Sequence, residues 1–300
     1  MSNVKTALKA LRMSQPFNYL ASSSVRLIAA AVGVQPEFAI KHLPKTGLVK
    51  TRLPNGHPLK LWGRGDDWVS NQIYWRGWDG YEPEASQLFF RLARQANITF
   101  DIGAHVGFYA LLAAHANPVG NVYAFEPLSA TFNRLQRNVE LNRLTNVQCI
   151  NSAVGEVDAA AEFYRPKTEI PCSGGLSFDC YQPWASEYYG ISVKVMTGDR
   201  FVQEQGLDRI DLVKIDTETT EPQVLRGMVE TLKRDRPVIF CEVLEGFGSE
   251  QQLEEILAPI GYHYYLLTAD GPVHREQIQG DPVWLNYLFT PLDPKEVVQL

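Results

Sequence analysis

The chain has 300 residues, of which 45% are hydrophobic and 21% are charged, so it can bury one substantial core and does not have the composition of a disordered protein. Its formal net charge of −6 argues against binding to the phosphate backbone of a nucleic acid. We therefore predict a folded protein without a nucleic-acid partner.

Cysteine spacing and hydropathy bear on metals and location. The cysteines are Cys149, Cys172, Cys180 and Cys241. They form no CxxC pair, so we expect reduced thiols and no structural zinc. No apolar run reaches the roughly 20 residues of a membrane span, and the run Val25–Val34 is interrupted by Arg26. We predict a cytoplasmic protein without a transmembrane segment, and self-association into a homo-oligomer is left open.

Two domains are predicted. Residues 1–60 form a helical and loop appendage that ends near the turn-forming run Pro54-Asn55-Gly56, and residues 61–300 form the larger domain. In the larger domain β-rich runs alternate with helical periodicity, which is typical of βαβ units and a mostly parallel sheet. The predicted strands are Ile98–Ile102, Asn121–Phe125, Val147–Ala153, Ile210–Asp216 and Pro237–Val243. The predicted helices between them are Phe108–His115, Ala130–Asn142 and Glu221–Arg234.

Two further β-rich runs, Gly261–Thr268 and Val283–Thr290, follow the fifth strand, with the turn Asp270-Gly271-Pro272 between them. This pattern predicts an antiparallel hairpin at the sheet edge. We therefore predict an α/β fold: a Rossmann-like sheet of five parallel strands plus a C-terminal antiparallel pair, flanked by helices. This is the architecture of class I methyltransferases, whereas a dinucleotide dehydrogenase would end in another βαβ crossover.

A ligand-binding loop is predicted where the first parallel strand meets its helix, in the run Asp101-Ile-Gly103-Ala104-His105-Val-Gly107. Gly103 would allow a tight turn beneath a ligand, and Gly107 would let the helix pack closely on the strand. The spacing differs from the G-x-G-x-x-G of a pyrophosphate site. Asp101 would repel a pyrophosphate but attract the ammonium group of S-adenosylmethionine, so the loop favours this cofactor over NAD.

The ends of the next two strands supply further cofactor-binding candidates. Glu126 ends the second strand and could accept hydrogen bonds from both hydroxyls of a ribose. At the end of the third strand, Ser152 and Ala153 could border an adenine ring. The predicted cofactor site consists of Asp101, Gly103, Ala104, His105, Gly107, Glu126, Ser152 and Ala153.

Several motifs follow one another along residues 60–290. They are Asp101-Ile-Gly-Ala-His-Val-Gly-Phe-Tyr, Ala124-Phe-Glu-Pro127, Asp211-Leu-Val-Lys-Ile-Asp-Thr-Glu218, Glu221-Pro-Gln-Val-Leu-Arg-Gly227 and Asn286-Tyr-Leu-Phe289. In this order they resemble the FkbM family of S-adenosylmethionine-dependent methyltransferases. The resemblance implies S-adenosylmethionine as cofactor and O-methylation of a hydroxyl on a sugar, a glycan or a natural product.

Two positions depart from the family pattern. His105 stands where the family often has asparagine, and either side chain could bind the cofactor's carboxylate or a backbone group. Thr219-Thr220 stands where the family usually has Gly-Ala. Because a β-branched residue resists the positive φ that glycine accepts, we expect a reshaped loop beside Asp216 and Glu218.

Methyl transfer to a hydroxyl requires the enzyme to align the acceptor, exclude water and remove a proton. The general base should lie at the carboxyl edge of the sheet, where Asp216, Glu218 and Glu242 are the catalytic candidates. Carboxylates in this position could instead hold a divalent metal that acidifies the hydroxyl. Nothing in their spacing demands a metal, and none is predicted.

The acceptor, a small molecule or glycan, is expected to contact residues 165–190 and the segment before the first parallel strand. These regions offer aromatic faces for stacking a sugar ring: Trp75, Trp78, Tyr81, Trp184, Tyr188 and Tyr189. Three other functions remain open. They are methylation of a protein acceptor, a non-catalytic cofactor-binding role suggested by Thr219-Thr220, and a nucleotide-dependent oxidation that Asp101 disfavours.

Overall fold

A computed structural model describes residues 14–33, 37–166, 175–176 and 188–292. The chain divides into two compact units, Met1–Glu82 with Glu140–Arg143, and Pro83–Val139 with Leu144–Leu300. Within the described residues, no helix is both long and apolar enough to cross a membrane.

The first unit combines helices with one β-hairpin. Its elements are α1 (Gln15–Val32), α2 (Glu37–His42), β1 (Thr46–Arg52), β2 (Pro58–Arg64) and α3 (Trp68–Arg76). Strands β1 and β2 pair antiparallel from Thr46↔Arg64 to Arg52↔Pro58. The run Pro54-Asn55-Gly56 is the turn of this hairpin, so the domain boundary expected after residue 60 falls inside β2. Asn-Gly between two strands is a strong hairpin signal, but we had interpreted it only as the end of the appendage.

The second unit contains the predicted sheet. Its strands are β3 (Ile98–Ile102), β4 (Asn121–Phe125), β5 (Val147–Ile150), β6 (Ala153–Val154), β7 (Ala159–Pro166), β8 (Tyr188–Met196), β9 (Leu212–Ile215), β10 (Val238–Glu242), β11 (His263–Thr268), β12 (Gly271–Arg275) and β13 (Asn286–Thr290). Its helices are α4 (Pro83–Ala93), α5 (Phe108–Ala116), most of α6 (Ser129–Asn142), α7 (Gly198–Gln205), α8 (Glu221–Arg226), α9 (Val229–Asp235) and α10 (Glu250–Leu257), followed by the 3-10 turn Ala258–Ile260.

Among the described residues, eight strands form one sheet in the order β12-β11-β13-β10-β9-β3-β4-β5. Strands β5, β4, β3, β9 and β10 are parallel to one another. Strand β13 runs antiparallel between β10 and β11. The predicted fold class is therefore confirmed: five parallel strands with antiparallel pairing at the C-terminal side.

The hairpin expected between the last two β-rich runs is differently connected. The turn after Thr268 leads into β12, which pairs with β11 at the sheet edge, while β13 lies further inside. Burial explains the arrangement: all five residues of β13 are buried, whereas β12 is mostly exposed. An apolar strand is placed where both faces are covered, and a polar one suits an edge.

Two other predicted elements are divided in the structure. The predicted helix Glu221–Arg234 is divided into α8 and α9 at Gly227, where a Cβ would lie 1.9 Å from the Gly155 carbonyl oxygen and the Gly227 carbonyl accepts a hydrogen bond from the Asp199 N–H at 2.9 Å. The predicted strand Val147–Ala153 splits because the chain leaves the large sheet after β5. Its last residue, Ala153, pairs instead with Val195 in a small sheet of order β6-β8-β7.

The central parallel strands are buried on both faces, as helix-covered strands should be. Their side chains contribute Phe100, Ile102, Val213, Ile215, Ile239 and Cys241 to the main core. Against this apolar background three charged side chains on the same strands are also buried: Asp101, Lys214 and Glu242. Buried charges require partners or a ligand, so these three indicate where the functional site lies.

Candidate active site

The loop that follows β3 is held by backbone and carboxylate contacts. The Asp101 carboxylate is buried, and its Oδ2 accepts a hydrogen bond from the backbone N–H of Ala110 at 2.7 Å. This N–H is in the first turn of α5, where backbone N–H groups have no carbonyl acceptor within the helix. The backbone N–H groups of Gly103 and Ala104 donate to the Phe125 carbonyl at 3.1 and 2.9 Å. Asp101 therefore braces the loop, and its predicted contact with a cofactor stays a prediction.

Gly103 and Gly107 both have a positive φ, and each makes room for a neighbouring group. Gly103 has a φ of 82°, as a tight turn requires, and a Cβ there would lie 1.8 Å from the Asp216 carbonyl oxygen. Its bare backbone therefore makes room for the loop after β9, while its place beneath a ligand stays a prediction. Gly107 has a φ of 93°, and its missing Cβ makes room for Leu135 of α6 rather than for the strand.

Glu126 connects the loops that follow β3 and β4. It is 5% exposed. Its Oε2 accepts the backbone N–H of His105 at 3.0 Å, and its Oε1 accepts that of Leu128 at 2.8 Å. Burial raises the pKa of Glu126 to about 7 although both N–H donors lower it, and Asp101 raises it further. Each carboxylate oxygen can accept a second hydrogen bond, so the predicted ribose contacts remain compatible with this geometry.

The residues predicted to border an adenine have structural partners. The Ser152 hydroxyl is buried and lies 2.9 Å from the Ala153 carbonyl and 3.0 Å from the Lys194 carbonyl, and Ala153 belongs to β6. Asn151 instead contacts the loop after β4, because its Nδ2 donates to the Glu126 carbonyl at 2.8 Å. These contacts explain the burial of Ser152 and Ala153, while their adenine contact stays a prediction.

Asp216 follows β9 and is anchored by a lysine that the sequence reasoning missed. Lys214 is fully buried, and its Nζ donates to Asp216 Oδ2 at 3.3 Å and to Asn286 Oδ1 at 3.1 Å. The same ammonium lies 5.0 Å from the ring centre of Tyr109. The available signal was one cation in the otherwise apolar strand Leu-Val-Lys-Ile. Asp216 itself keeps 23% of its side chain exposed, which leaves it accessible to an incoming group.

Glu242 ends β10 and is 9% exposed. Its Oε2 is buried and has no hydrogen-bond partner in the part of the chain that the structure describes. Burial raises the pKa of Glu242 well above its usual range, and the nearby carboxylates Asp216 and Glu218 add to the rise, while Lys214 opposes it. Glu242 therefore differs from Asp216: Asp216 is paired with a cation, whereas the buried Oε2 of Glu242 has no partner among the described residues.

The loop between Asp216 and α8 adopts strained backbone conformations. Glu218 has a φ of 56° and Thr219 a φ of 81°. Thr219 thus adopts the left-handed conformation that glycine favours. We expected a β-branched residue to resist a positive φ at this position, and threonine adopts one all the same. Such a conformation costs about 1–3 kcal/mol for a residue with a side chain, and strain of this size is typical of functional loops.

A second residue missed by the sequence reasoning, Glu221, holds this loop. It is buried, and its Oε1 accepts hydrogen bonds from the N–H and the hydroxyl of Thr217, both at 3.0 Å. Burial raises the pKa of Glu221 to about 7, although the hydrogen bonds lower it. The sequence signal was an acidic residue in the first turn of a predicted helix, a position that commonly caps backbone N–H groups.

The structure brings most of the predicted site residues to one edge of the sheet. The close approach of Gly103 to the Asp216 carbonyl joins the loop after β3 to the loop after β9. Among the aromatic candidates, Trp75 is buried in the first unit, and Trp184 lies outside the described residues, as do residues 167–174 and 177–187. Within the described ranges, no group of three or more His, Cys, Asp or Glu side chains is arranged to hold a metal.

Comparison with known families matches residues 101–267 to the methyltransferase FkbM domain. The chain belongs to the FkbM methyltransferase family. The match covers more than half of the 300 residues and includes Asp101, Glu126, Asp216, Glu218 and Glu242. The family predicted from the ordered motifs is thus confirmed.

Several curated relatives share part of this sequence. Methyltransferase 1 of Beauveria bassiana is 33% identical over 144 residues, which is 43% of this chain and 57% of that protein. The hexuronic acid methyltransferase AglP of Haloferax volcanii is 26% identical over 51% of this chain and 58% of its own length. The 31-O-demethyl-FK506 methyltransferase FkbM of Streptomyces tacrolimicus is 26% identical over 59% of this chain and 75% of its own. The chain therefore spans less than two thirds of the first two of these relatives.

Among solved structures, a methyltransferase FkbM of Methylobacillus flagellatus KT is 16% identical to this chain. The alignment covers 75% of this chain and 55% of that one, with a TM-score of 0.42. The fold class rests on the sheet order described above.

Proposed function

We propose that this protein is an S-adenosylmethionine-dependent O-methyltransferase that acts on a hydroxyl of a sugar, a glycan or a natural product. One observation carries the proposal. Gly103, in the loop after β3, lies against the carbonyl of Asp216, which Lys214 anchors, and Glu126 in the adjoining loop after β4 offers acceptors for a nucleoside. A cofactor subsite and a proton-accepting carboxylate thus share one sheet edge, where α/β proteins bind their ligands.

The residues present fit this cofactor. Glu126 retains acceptor capacity for ribose hydroxyls after its two backbone hydrogen bonds, and it is buried enough for such bonds to be strong. Asp101, His105 and Ser152 are the further candidates around it. The cofactor supplies a methyl group on a positively charged sulfur, which the acidic residues of this edge favour electrostatically.

The protein's own part in the reaction is to place a hydroxyl and to take its proton. Asp216 combines partial exposure with a fixed orientation, because the buried Lys214 ammonium holds one of its oxygens at 3.3 Å. Asp216 is therefore our first choice for the general base. Glu218 is the alternative because it lies two residues further along the same strained loop.

Two relatives support the acceptor class, because their names refer to a hexuronic acid and to the 31-O-demethyl form of FK506. Both names indicate acceptors that carry hydroxyl groups. We extend this to the present chain as part of the proposal, together with a cytoplasmic location. We make no proposal about self-association, which light scattering of the purified protein would measure.

Isothermal titration with S-adenosylmethionine, S-adenosylhomocysteine and NAD tests the cofactor. We expect the first two to bind and NAD not to bind. Release of S-adenosylhomocysteine on incubation with hydroxylated acceptors then tests the reaction. NAD binding without binding of either sulfur compound would contradict the proposed function. Binding without release on any sugar, glycan or natural-product acceptor would favour a non-catalytic role.

A further inference from the structure

Glu242 carries a polar atom that the fold leaves unsatisfied. Its Oε2 is buried, and the described residues offer it no hydrogen-bond partner. Native proteins satisfy most buried polar atoms because each unpaired one costs about 1–3 kcal/mol. The atom lies at the carboxyl end of β10, on the sheet edge that carries Asp216. A bound ligand can supply the missing partner, so Glu242 Oε2 is a candidate ligand contact.

A second unsatisfied atom lies on the neighbouring loop. The hydroxyl of Thr219 is buried and likewise has no partner among the described residues. Thr219 follows Glu218, whose charge acts on Glu242. A hydroxyl and a protonated carboxyl can each donate and accept a hydrogen bond. A sugar hydroxyl does both as well, so it can pair with either group.

Burial is the main cause of the raised pKa of Glu242, and the charges around it add to this effect and bear on the charge of its partner. Asp216 and Glu218 precede α8, Glu221 is in α8, and all three raise the pKa of Glu242, while Lys214 on β9 is the cation that lowers it. Lys214 already donates to Asp216 and to Asn286. An acceptor with a negative group next to the reacting hydroxyl would add a further anion to this cluster, and the repulsion would weaken its binding.

We propose that Glu242 binds the acceptor as an uncharged hydrogen-bonding group, and that the acceptor carries a neutral hydroxyl beside the one that is methylated. This inference rests on the proposed function and divides the two carboxyls by role. The acceptor oxygen loses its proton to Asp216 and gains the methyl group, and the cofactor leaves as a neutral thioether. Glu242 has the same proton before and after the reaction.

Binding to the protein saturated with S-adenosylhomocysteine tests this role. The probes are the methyl glycosides of glucose, galactose, mannose and rhamnose, each detected by saturation-transfer NMR, together with methyl glucuronide and methyl galacturonide. The variants are Glu242→Gln, which keeps a neutral donor and acceptor, and Glu242→Leu, which has neither. Glu245→Gln is the matched control because Glu245 is an exposed carboxylate three residues away.

We expect at least one neutral glycoside to bind more tightly than the uronides. Its affinity should fall by less than about threefold in Glu242→Gln and by at least about tenfold in Glu242→Leu, since one hydrogen bond in a buried site is worth about 1–2 kcal/mol. Equal losses in both variants would show that the ionised carboxylate is needed. Tighter binding of the uronides, or binding of none of the neutral glycosides, would also overturn the proposal.

A readout without acceptor checks the protonation directly. A carboxyl whose pKa is raised by folding stabilises the protein below its unfolded pKa of about 4.5, and this stability is lost as pH rises through the folded pKa. Glu242→Gln should therefore become progressively more stable relative to wild type as pH rises above about 4.5. A pH-independent difference would refute a neutral Glu242. Failure of the wild type to bind S-adenosylhomocysteine would instead contradict the proposed function and leave this measurement intact.

Discussion

Replacing Glu126 with glutamine tests the cofactor subsite with the smallest change of shape. In the structure each carboxylate oxygen accepts one backbone N–H, from His105 at 3.0 Å and from Leu128 at 2.8 Å. Glutamine keeps one of these oxygens and presents an amide nitrogen at the other position. That position loses its acceptor for a ribose hydroxyl. A hydrogen bond to a charged group contributes about 1.5–3 kcal/mol, so affinity for S-adenosylhomocysteine should fall about 10- to 150-fold.

The pKa of Glu126 adds a pH dependence to the same prediction. Burial raises this pKa to about 7, and ribose hydroxyls donate to the ionised form. Cofactor affinity should therefore rise about tenfold between about pH 6 and about pH 8, with release of a proton on binding below the pKa. Above this range the affinity should be constant. The variant Glu126→Gln cannot ionise and should lose the pH dependence.

Isothermal titration in two buffers of different ionisation enthalpy measures both quantities. Glu276→Gln is the matched control because the Glu276 side chain is 94% exposed, and its affinity should equal that of the wild type. A loss of less than about twofold in Glu126→Gln would refute the ribose contact. A pH dependence that persists in the variant would assign the proton to another group, with His105 the first to test.

Three further predictions concern the loops around Asp216. Asp216→Asn should lower turnover by about 10²–10⁴-fold in S-adenosylhomocysteine release assays with little change in cofactor affinity, and near-normal turnover would transfer the base role to Glu218. In thermal unfolding, Gly103→Ala should lower the free energy of unfolding several-fold more than Gly246→Ala. Both glycines have a positive φ, but of the two only Gly103 has an atom within 4 Å of the new Cβ. Equal losses would contradict the close contact. Thr219→Gly should raise the free energy of unfolding by about 1 kcal/mol. The variant loses the backbone strain and the buried hydroxyl that has no partner among the described residues, and this gain exceeds the entropy cost of glycine. A destabilised variant would refute strain at this position.

Elements whose stability is local were predictable from the sequence. Strands β3 and β4 have the predicted bounds because a short apolar run between polar residues reports a buried parallel strand without reference to its neighbours. The break between α8 and α9 was not predictable. The helical periodicity continues through Gly227, whereas the contacts that Gly227 makes with Gly155 and Asp199 exist only in the folded chain.

The same division holds within the site. Motif spacing placed Asp101, Glu126 and Asp216 at strand ends, and parallel strands bring such ends to one edge. No local pattern could indicate that Lys214 meets Asn286, which is 72 positions away in the chain. The role of Lys214 as the anchor of Asp216 therefore had to come from the folded chain.

The sequence alone determined the fold class, the family and the edge of the sheet at which polar residues gather, because hydrophobic periodicity and motif order are properties of neighbouring residues. The tertiary structure decided that Asp216 has a cation beside it and that Glu242 Oε2 is buried with no partner in the described part of the chain. Asp216 and Glu242 are both acidic residues at strand ends, and nothing in their local sequence separates them. The lysine beside Asp216 and the burial of Glu242 depend on how other elements pack, and these contacts exist only once the chain has folded.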